Sequence, residues 1–392
     1  MSMYSCRDRR FNLKMTGFRG RLALAGILVL LLLLYCEFLH YFVVLLQCTW
    51  PRLQASGTVG LGSDPEDLKV MFLADTHLLG FREGNWFDKL RREWQMKRAF
   101  QTSMLLHHPD VVFVLGDLLD EGKWCNDEEF QYHVQRFNSM FTVPASTQRH
   151  LLVGNHDVGY HYMMTGHKQQ RFEEAFGSRS AALLSIRGVQ FVVLNSMAME
   201  GDGCHFCQEA ERGLKKISRQ LQCAKEKAGP KPPREECQAY DFQDSFRYSR
   251  PVLLQHFPLF RQSDADCNTE DAAPPSEKSQ RFQPRYDCLS KESSQQLFKL
   301  IEPRLVIDAH THHGCYRLHD NGVPEWTVAS FSWRNKKNPS FLMARISAKD
   351  HKVSLCQMPD ERTVIWIYIT GAIVILLWLC MSFRTNKWGK IS

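Results

Sequence analysis

Two long apolar runs bracket the chain, and they limit what the rest of it can fold into. The first spans 22–46 and contains LALAGILVLLLLLYC. The second spans 363–383, reads TVIWIYITGAIVILLWLCMSF, and carries no charge. About 20 consecutive apolar residues are enough to cross a bilayer as a helix. A removed signal peptide would be shorter and would end in small residues, but here Cys48-Thr49-Trp50-Pro51 follows. Each run is therefore expected to be a transmembrane helix. Glu37 and His40 are unusual inside a span, so they are expected near its far end or against a partner.

The formal charge of +7 sits at the two ends. Arg7, Arg9, Arg10, Lys14, Arg19 and Arg21 precede the first run against Asp8 alone, and Arg384, Lys387 and Lys390 follow the second. Basic flanks stay on the cytosolic side of a membrane. Tails 1–21 and 384–392 are thus expected in the cytosol, with everything between the spans in a lumen or outside the cell. That body is neutral overall, which argues against nucleic acid as a partner, because phosphate contacts need a basic face. Ten of the 13 cysteines fall in the body, as expected where disulfides persist. Cys204, Cys207, Cys223 and Cys237 are expected to form disulfides; a structural zinc site is the other reading.

Residues 47–67 read as a linker and 68–358 as one α/β domain. Within it, short apolar runs each end in polar residues able to bind metal. LKVMFLAD ends at Asp75, DVVFVLGD at Asp117, and RHLLVGNHD at Asp157; PVLLQHFP carries His256, and RLVIDAH ends at His310. VQFVVLNS, residues 189–196, is a further run of this type. Unbroken runs of β-branched and apolar residues suit strands buried on both faces. Helical stretches at 87–108, 132–141 and 291–301 alternate with them, which indicates an α/β fold. Residues 200–249 and 262–285 break this rhythm and read as surface insertions.

In an α/β sheet, ligands bind beyond the carboxyl ends of the strands. Asp75-Thr76-His77, Gly116-Asp117-Leu118-Leu119-Asp120, Gly154-Asn155-His156-Asp157, His256 and Ala309-His310-Thr311-His312 would all meet at that edge. Each motif alone has an ordinary structural explanation, but chance does not readily assemble the series. In this order it resembles the calcineurin-like metallophosphoesterases, from about Lys69 to Cys315. The resemblance implies a β-sandwich flanked by helices, with two metal ions at one edge. It implies that Asp75, His77 and His312 bind the first ion, that Asn155, His256 and His310 bind the second, and that Asp117 bridges both. His156 would contact the phosphate or protonate the leaving group, oriented by a carboxylate such as Asp75, with Asp120 and Asp157 in support. Two such ions can clamp phosphoryl oxygens and lower the pKa of a shared water. This donor set suits manganese first, with iron and zinc as alternatives. The family has glycine before its last His-x-His, where this chain has Ala309.

The apolar ends, MFLADTHLLG (71–80), DKLRREWQMKRAFQTS (88–103) and SFSWRNKKNPSF (330–341) resemble a membrane-anchored branch of that family. This closer resemblance implies a phosphodiesterase that removes an ethanolamine-phosphate side group from a mannose of GPI anchors. Its substrates would be GPI-anchored proteins, with transport-cargo machinery as a further partner. It implies residence at ER exit sites, the ER-Golgi intermediate compartment and the Golgi. The alternatives are a lumenal phosphatase of soluble esters and an inactive cargo adaptor. In the segment 330–341, Arg334, Asn335, Lys336 and Lys337 either grip a sugar or phosphate or are solvated charges of a turn.

Overall fold

The structure, a computed structural model, describes residues 18–53, 67–240, 242 and 246–388. Most of the expected linker, the start of the N-terminal tail and the last residues of the C-terminal tail lie outside the described residues. The chain divides into two units, one combining the two ends and one spanning Tyr41–Glu361.

The larger unit is a mixed β-sandwich. Its strands are β1 (Leu68–Leu73), β2 (Val111–Val114), β3 (Gln148–Leu151), β4 (Ala181–Ile186), β5 (Val189–Leu194), β6 (Val252–Leu254), β7 (Leu305–Asp308), β8 (Cys315–Leu318), β9 (Pro324–Thr327), β10 (Ser340–Ile346) and β11 (His351–Gln357). One sheet has the order β11-β10-β1-β2-β3 and the other β4-β5-β6-β7-β9-β8. β1, β2 and β3 run parallel, as do β5, β6 and β7.

Side chains alternate across a strand, so a strand covered on both faces must be apolar at every position. That is the observed division of labour. Val70, Phe72, Val111 and Phe113 pack with Phe191, Val193, Leu254 and Ile307 between the sheets. Their neighbours Met71, Leu73, Val112, Val114, Val192, Leu253 and Val306 face outward into a second core shared with the helices. The Phe113 and Phe191 rings meet across the sandwich at 5.0 Å. Burying a phenylalanine side chain contributes roughly 1.5–3 kcal/mol, so these rings are major fasteners of the two sheets.

Helices Trp86–His107, Asp127–Met140, Gly166–Phe176, His205–Ala228 and Lys291–Ile301 cover the outer faces. Asn126 and Glu129 form a reciprocal cap at the start of the second of these. The segment 200–249, expected as a surface insertion, is ordered around a long helix. It carries the 24-residue helix His205–Ala228, whose Ala210, Leu214, Ile217 and Leu221 join the outer core. The segment 262–285 is also anchored, by the disulfide Cys267–Cys315 and by buried Arg261, Asp264 and Asp271. Cys48–Cys356 and Cys223–Cys237 are the other disulfides among the described residues. Cys204 and Cys207 remain thiols, so the four-cysteine grouping is only half a disulfide set.

Helices spanning 18–45 and 361–383 are long and apolar enough to cross a membrane, by length and composition. A π-helical turn interrupts the first at Tyr35–Leu39. There the Glu37 carboxylate accepts a hydrogen bond from the Tyr368 hydroxyl of the second helix, which gives this polar residue a partner within the chain.

Candidate metal centre

The parallel strands deliver their donors as the chain leaves the sheets. Asp75, His77, Asp117, His310 and His312 all sit in the left-handed backbone region, with φ of 52, 43, 49, 74 and 63°. Residues other than glycine adopt this region at a cost of order 1–3 kcal/mol, and only where surrounding structure enforces it. The strain is thus concentrated at the donors, turning each side chain back over the strand ends. Gly154 serves the same purpose by being small. A Cβ there would lie 2.3 Å from both the Asp117 backbone nitrogen and its Oδ1.

Two donor groups result. Asp75, His77, Asp117 and His312 each place a ligand atom within 4.8 Å of the others. His77 Nε2 and His312 Nε2 are 3.1 Å apart, and each lies 3.8 Å from Asp75 Oδ1. Asp117, His256 and His310 form the second group. Asn155 Oδ1 adjoins it, 3.1 Å from His256 Nε2. Asp117 belongs to both: its Oδ2 lies 3.5 Å from His77 Nε2 and 3.3 Å from His256 Nε2.

These atoms fit divalent ions. Bonds of about 2.1 Å around one ion leave its ligands about 3.0–3.4 Å apart, close to the separations seen. The buried Asp75 Oδ1 and His310 Nδ1 have no hydrogen-bond partner, as expected of atoms reserved for a cation. Three imidazoles are already oriented through their other nitrogen. His77 Nδ1 donates to Asp120 Oδ1 at 3.0 Å, His256 Nδ1 to the Leu115 carbonyl at 2.8 Å, and His310 Nε2 to the Tyr286 carbonyl at 2.8 Å. Such outer contacts fix the tautomer that leaves the ligating lone pair free.

The electrostatics favour positive charge at this edge. Burial opposes a charge on His77, but its hydrogen bond to Asp120 and the charges of Asp117 and Asp75 lift its pKa to about 10. Burial likewise opposes a charge on His256, and Asp117 lifts it to about 9. Asp117 is held well below the usual carboxylate range; His256, His156 and His77 overcome its own desolvation. Desolvation pushes His310 and His312 down to about 3, so both are neutral and ready to ligate. Asp157 is raised to about 7 by burial and by the charge of Asp117. Its carboxyl accepts from the Leu119 and Gly154 backbone N–H groups, each at 2.9 Å, and so ties two of the motif loops together.

His156 stands beside the donors rather than among the second group. Its ring is 4.6 Å from that of His77, and its Nδ1 lies 3.0 Å from the Asp120 carbonyl and 3.2 Å from Asp120 Oδ1. The carboxylate that orients it is therefore Asp120, not Asp75. The reason is local: the Gly116–Asp120 loop passes under the ring, while Asp75 is turned toward His77 and His312.

Ala309 takes the family's glycine position without strain. Its methyl group is buried in the sandwich core, and its N–H donates to the His256 carbonyl at 2.9 Å. Arg334 reaches Asp120 Oδ2 at 2.7 Å, and Asn335 Nδ2 donates to His312 Nε2 at 3.3 Å. Lys336 is buried and donates to the Asp271 carbonyl, a structural role. Tyr160 and Tyr286, stacked at 4.6 Å beside His310, escaped the sequence reading because no motif marks them.

A family model described as calcineurin-like phosphoesterase matches residues 68–314. The chain is 47% identical over 359 residues to Metallophosphoesterase 1 of Mus musculus, covering 91% of this chain and 88% of that protein. It is 44% identical over 384 residues to Metallophosphoesterase 1 of Xenopus laevis, covering 92% of this chain and 91% of that one. Among solved structures, a dimetal phosphatase from Danio rerio aligns with a TM-score of 0.43 and 14% identity, over 74% of this chain and 99% of that chain. With the family model matching more than half of the chain and 47% identity to a relative over 91% of it, the chain belongs to the calcineurin-like phosphoesterases and is a metal-dependent phosphoric ester hydrolase.

Proposed function

We propose that this chain is a two-metal phosphodiesterase of the secretory pathway that removes an ethanolamine-phosphate side group from a mannose of GPI anchors. The observation that carries the two-metal part is the position of Asp117, whose Oδ2 lies between His77 of one donor group and His256 of the other. Asp75, His77, Asp117 and His312 would hold the first ion, and Asp117, Asn155, His256 and His310 the second, with manganese as the expected metal. When bound, such a pair polarises the phosphoryl oxygens and lowers the pKa of an attacking water. The chain's own residues do the rest. Asp120 holds His156 through Nδ1, which leaves the other ring nitrogen to deliver a proton to the departing sugar oxygen. Asp120 and Asp157 keep the loops in register. The loop carrying Arg334 and Asn335 closes one side of the edge and is the contact expected for the glycan or phosphate.

The substrate rests on the resemblance of segments 71–80, 88–103 and 330–341 to the branch of the family that remodels GPI anchors. Two helices able to span a bilayer and three disulfides support a membrane-tethered enzyme in an oxidising lumen with both termini cytosolic. Residence at ER exit sites, the ER-Golgi intermediate compartment and the Golgi, and contact with transport-cargo machinery, belong to the same reading.

The test uses the full chain in detergent, loaded with manganese, and a GPI-anchored protein bearing the side group. Mass spectrometry of the glycan should show loss of ethanolamine phosphate with wild type and none with Asp117→Ala. Hydrolysis of a soluble phosphodiester with an untouched GPI glycan would retain the esterase and discard the substrate.

A further inference from the structure

Away from the catalytic edge, a second set of metal-binding donors converges. His161, Asp202, Cys204 and Cys207 each place a ligand atom within 4.8 Å of the others. They come from separate pieces of chain: the single turn His161–Met163, the loop before helix His205–Ala228, and that helix's first turn. Gly201 and Gly203 flank Asp202 at φ of 74 and 75°, a conformation that lets the loop double back at little cost. Asp202 Oδ1 accepts from the Cys204 N–H at 3.0 Å and lies 3.3 Å from Cys207 Sγ. The Cys207 N–H points at Cys204 Sγ at 3.0 Å, so one thiol of the Cys-x-x-Cys pair is already braced by the backbone. His161 Nε2 donates to Asp202 Oδ2 at 2.8 Å, and its Nδ1 lies 3.9 Å from Cys207 Sγ and 3.2 Å from the Met197 carbonyl. That tautomer leaves the lone pair on Nδ1, on the side of the Cys207 thiol.

We propose that His161, Asp202, Cys204 and Cys207 bind one structural zinc ion. Two sulfurs, one imidazole and one carboxylate make the four-donor complement of a closed zinc site. Thiolates disfavour manganese and magnesium, so this site and the sulfur-free catalytic edge select different metals. Binding converts the two thiols to thiolates and releases their two protons to solvent.

The competing fate of a Cys-x-x-Cys pair in an oxidising lumen is a disulfide. The chain pairs Cys48–Cys356, Cys223–Cys237 and Cys267–Cys315 but leaves Cys204 and Cys207 as thiols one helical turn apart. A disulfide would also have no use for His161 and Asp202 on the same spot. The Cys223–Cys237 bridge removes those two sulfurs from any four-cysteine zinc site. The ion would fasten the head of helix His205–Ala228 to the turn after Tyr160, whose ring packs near His310. It would thereby hold one wall of the catalytic edge in place.

The test uses the full chain in detergent and does not depend on the GPI reading. Metal analysis should find one zinc per chain that is lost in the Cys204→Ser/Cys207→Ser double variant, with the catalytic ions retained. A misfolded variant would also lose zinc, so cobalt exchange into the unaltered chain supplies the second readout. Cobalt held by thiolates gives an intense sulfur-to-metal charge-transfer band in the near ultraviolet, which the catalytic edge cannot produce. That band in wild type, weakened by His161→Ala, is the expected result. No band in wild type, a band that persists in the double variant, or a Cys204–Cys207 disulfide in non-reducing peptide maps would overturn the proposal.

Discussion

The catalytic edge and the thiol cluster both use histidine and aspartate donors, from different residues, and rest on different supports. At the catalytic edge, the donors leave the ends of strands, and Asp75, His77, Asp117 and His256 are at most 2% exposed. The thiol cluster hangs on a single turn, a two-glycine loop and the start of a helix, and the Asp202 side chain is 49% exposed. A site held by rigid elements keeps its geometry before the ion arrives, whereas a site on loops needs the ion to complete it. The first arrangement suits catalysis, where ligands must hold through turnover. The second suits fastening.

The largest effect should come from the shared ligand. Asp117→Ala is expected to lose both catalytic ions and reduce esterase activity to background, with zinc still present at the thiol cluster. Retention of either catalytic ion would show that Asp117 is not shared. His156→Ala should lower kcat by about 10²–10⁴-fold with metal content unchanged, as befits a proton donor rather than a ligand. Loss of an ion in that variant would move His156 into the ligand set. Asp120→Asn should weaken metal affinity by about 10–100-fold in a metal titration, because it releases the His77 ring and loosens His156. An unchanged affinity would mean that the strand ends alone position His77.

On the side of the insertion, Cys223→Ser/Cys237→Ser opens a disulfide with a sequence separation of 14. A loop of that size is worth about 3 kcal/mol in the chain-entropy account, measurable by denaturant unfolding. The catalytic ions should stay; their loss would mean that the insertion supports the edge more directly than its contacts indicate.

The smallest effect is a control that touches neither site. Burial first, and then the Arg136 charge, hold His133 down to about 4. Its folded pKa lies below the ordinary value near 6.5, so the stability it contributes is complete above about 6.5 and is lost as pH falls toward 4. His133→Gln should flatten that part of the melting-temperature profile and leave both metal contents unaltered. An identical profile would place the acid sensitivity elsewhere.

The parallel strands were legible because strands buried on both faces must be apolar throughout, and because each ends on polar residues that the apolar run makes conspicuous. Helix Lys291–Ile301 was read to the residue for a related reason: Ser290 caps it, and its apolar positions recur at helical spacing. Less of the remainder was legible. β4, β8, β9, β10 and β11 went unrecognised; β4, β8, β9 and β11 lie where half-exposed positions interrupt the apolar pattern, and β10 is recruited antiparallel to β1 from far along the chain. Helix His205–Ala228 was hidden by its charges, although Ala210, Leu214, Ile217 and Leu221 already carry the period of a buried helical stripe.

By itself, the sequence determined the chemical inventory: two apolar helices with basic flanks, and the carboxylates, imidazoles and amide that leave the strands in family order. These are local properties, set by composition and by the handful of residues at each strand end. Tertiary structure alone decided the pairings. It made Asp120, not Asp75, the partner of His156, and it joined Cys223 to Cys237 while leaving Cys204 and Cys207 with His161 and Asp202. It also set Asp117 between the two donor groups. The reason is physical. A sequence specifies which atoms can donate, but distances of about 3 Å between residues far apart along the chain exist only once the sheets have packed and the loops have been turned back over their ends.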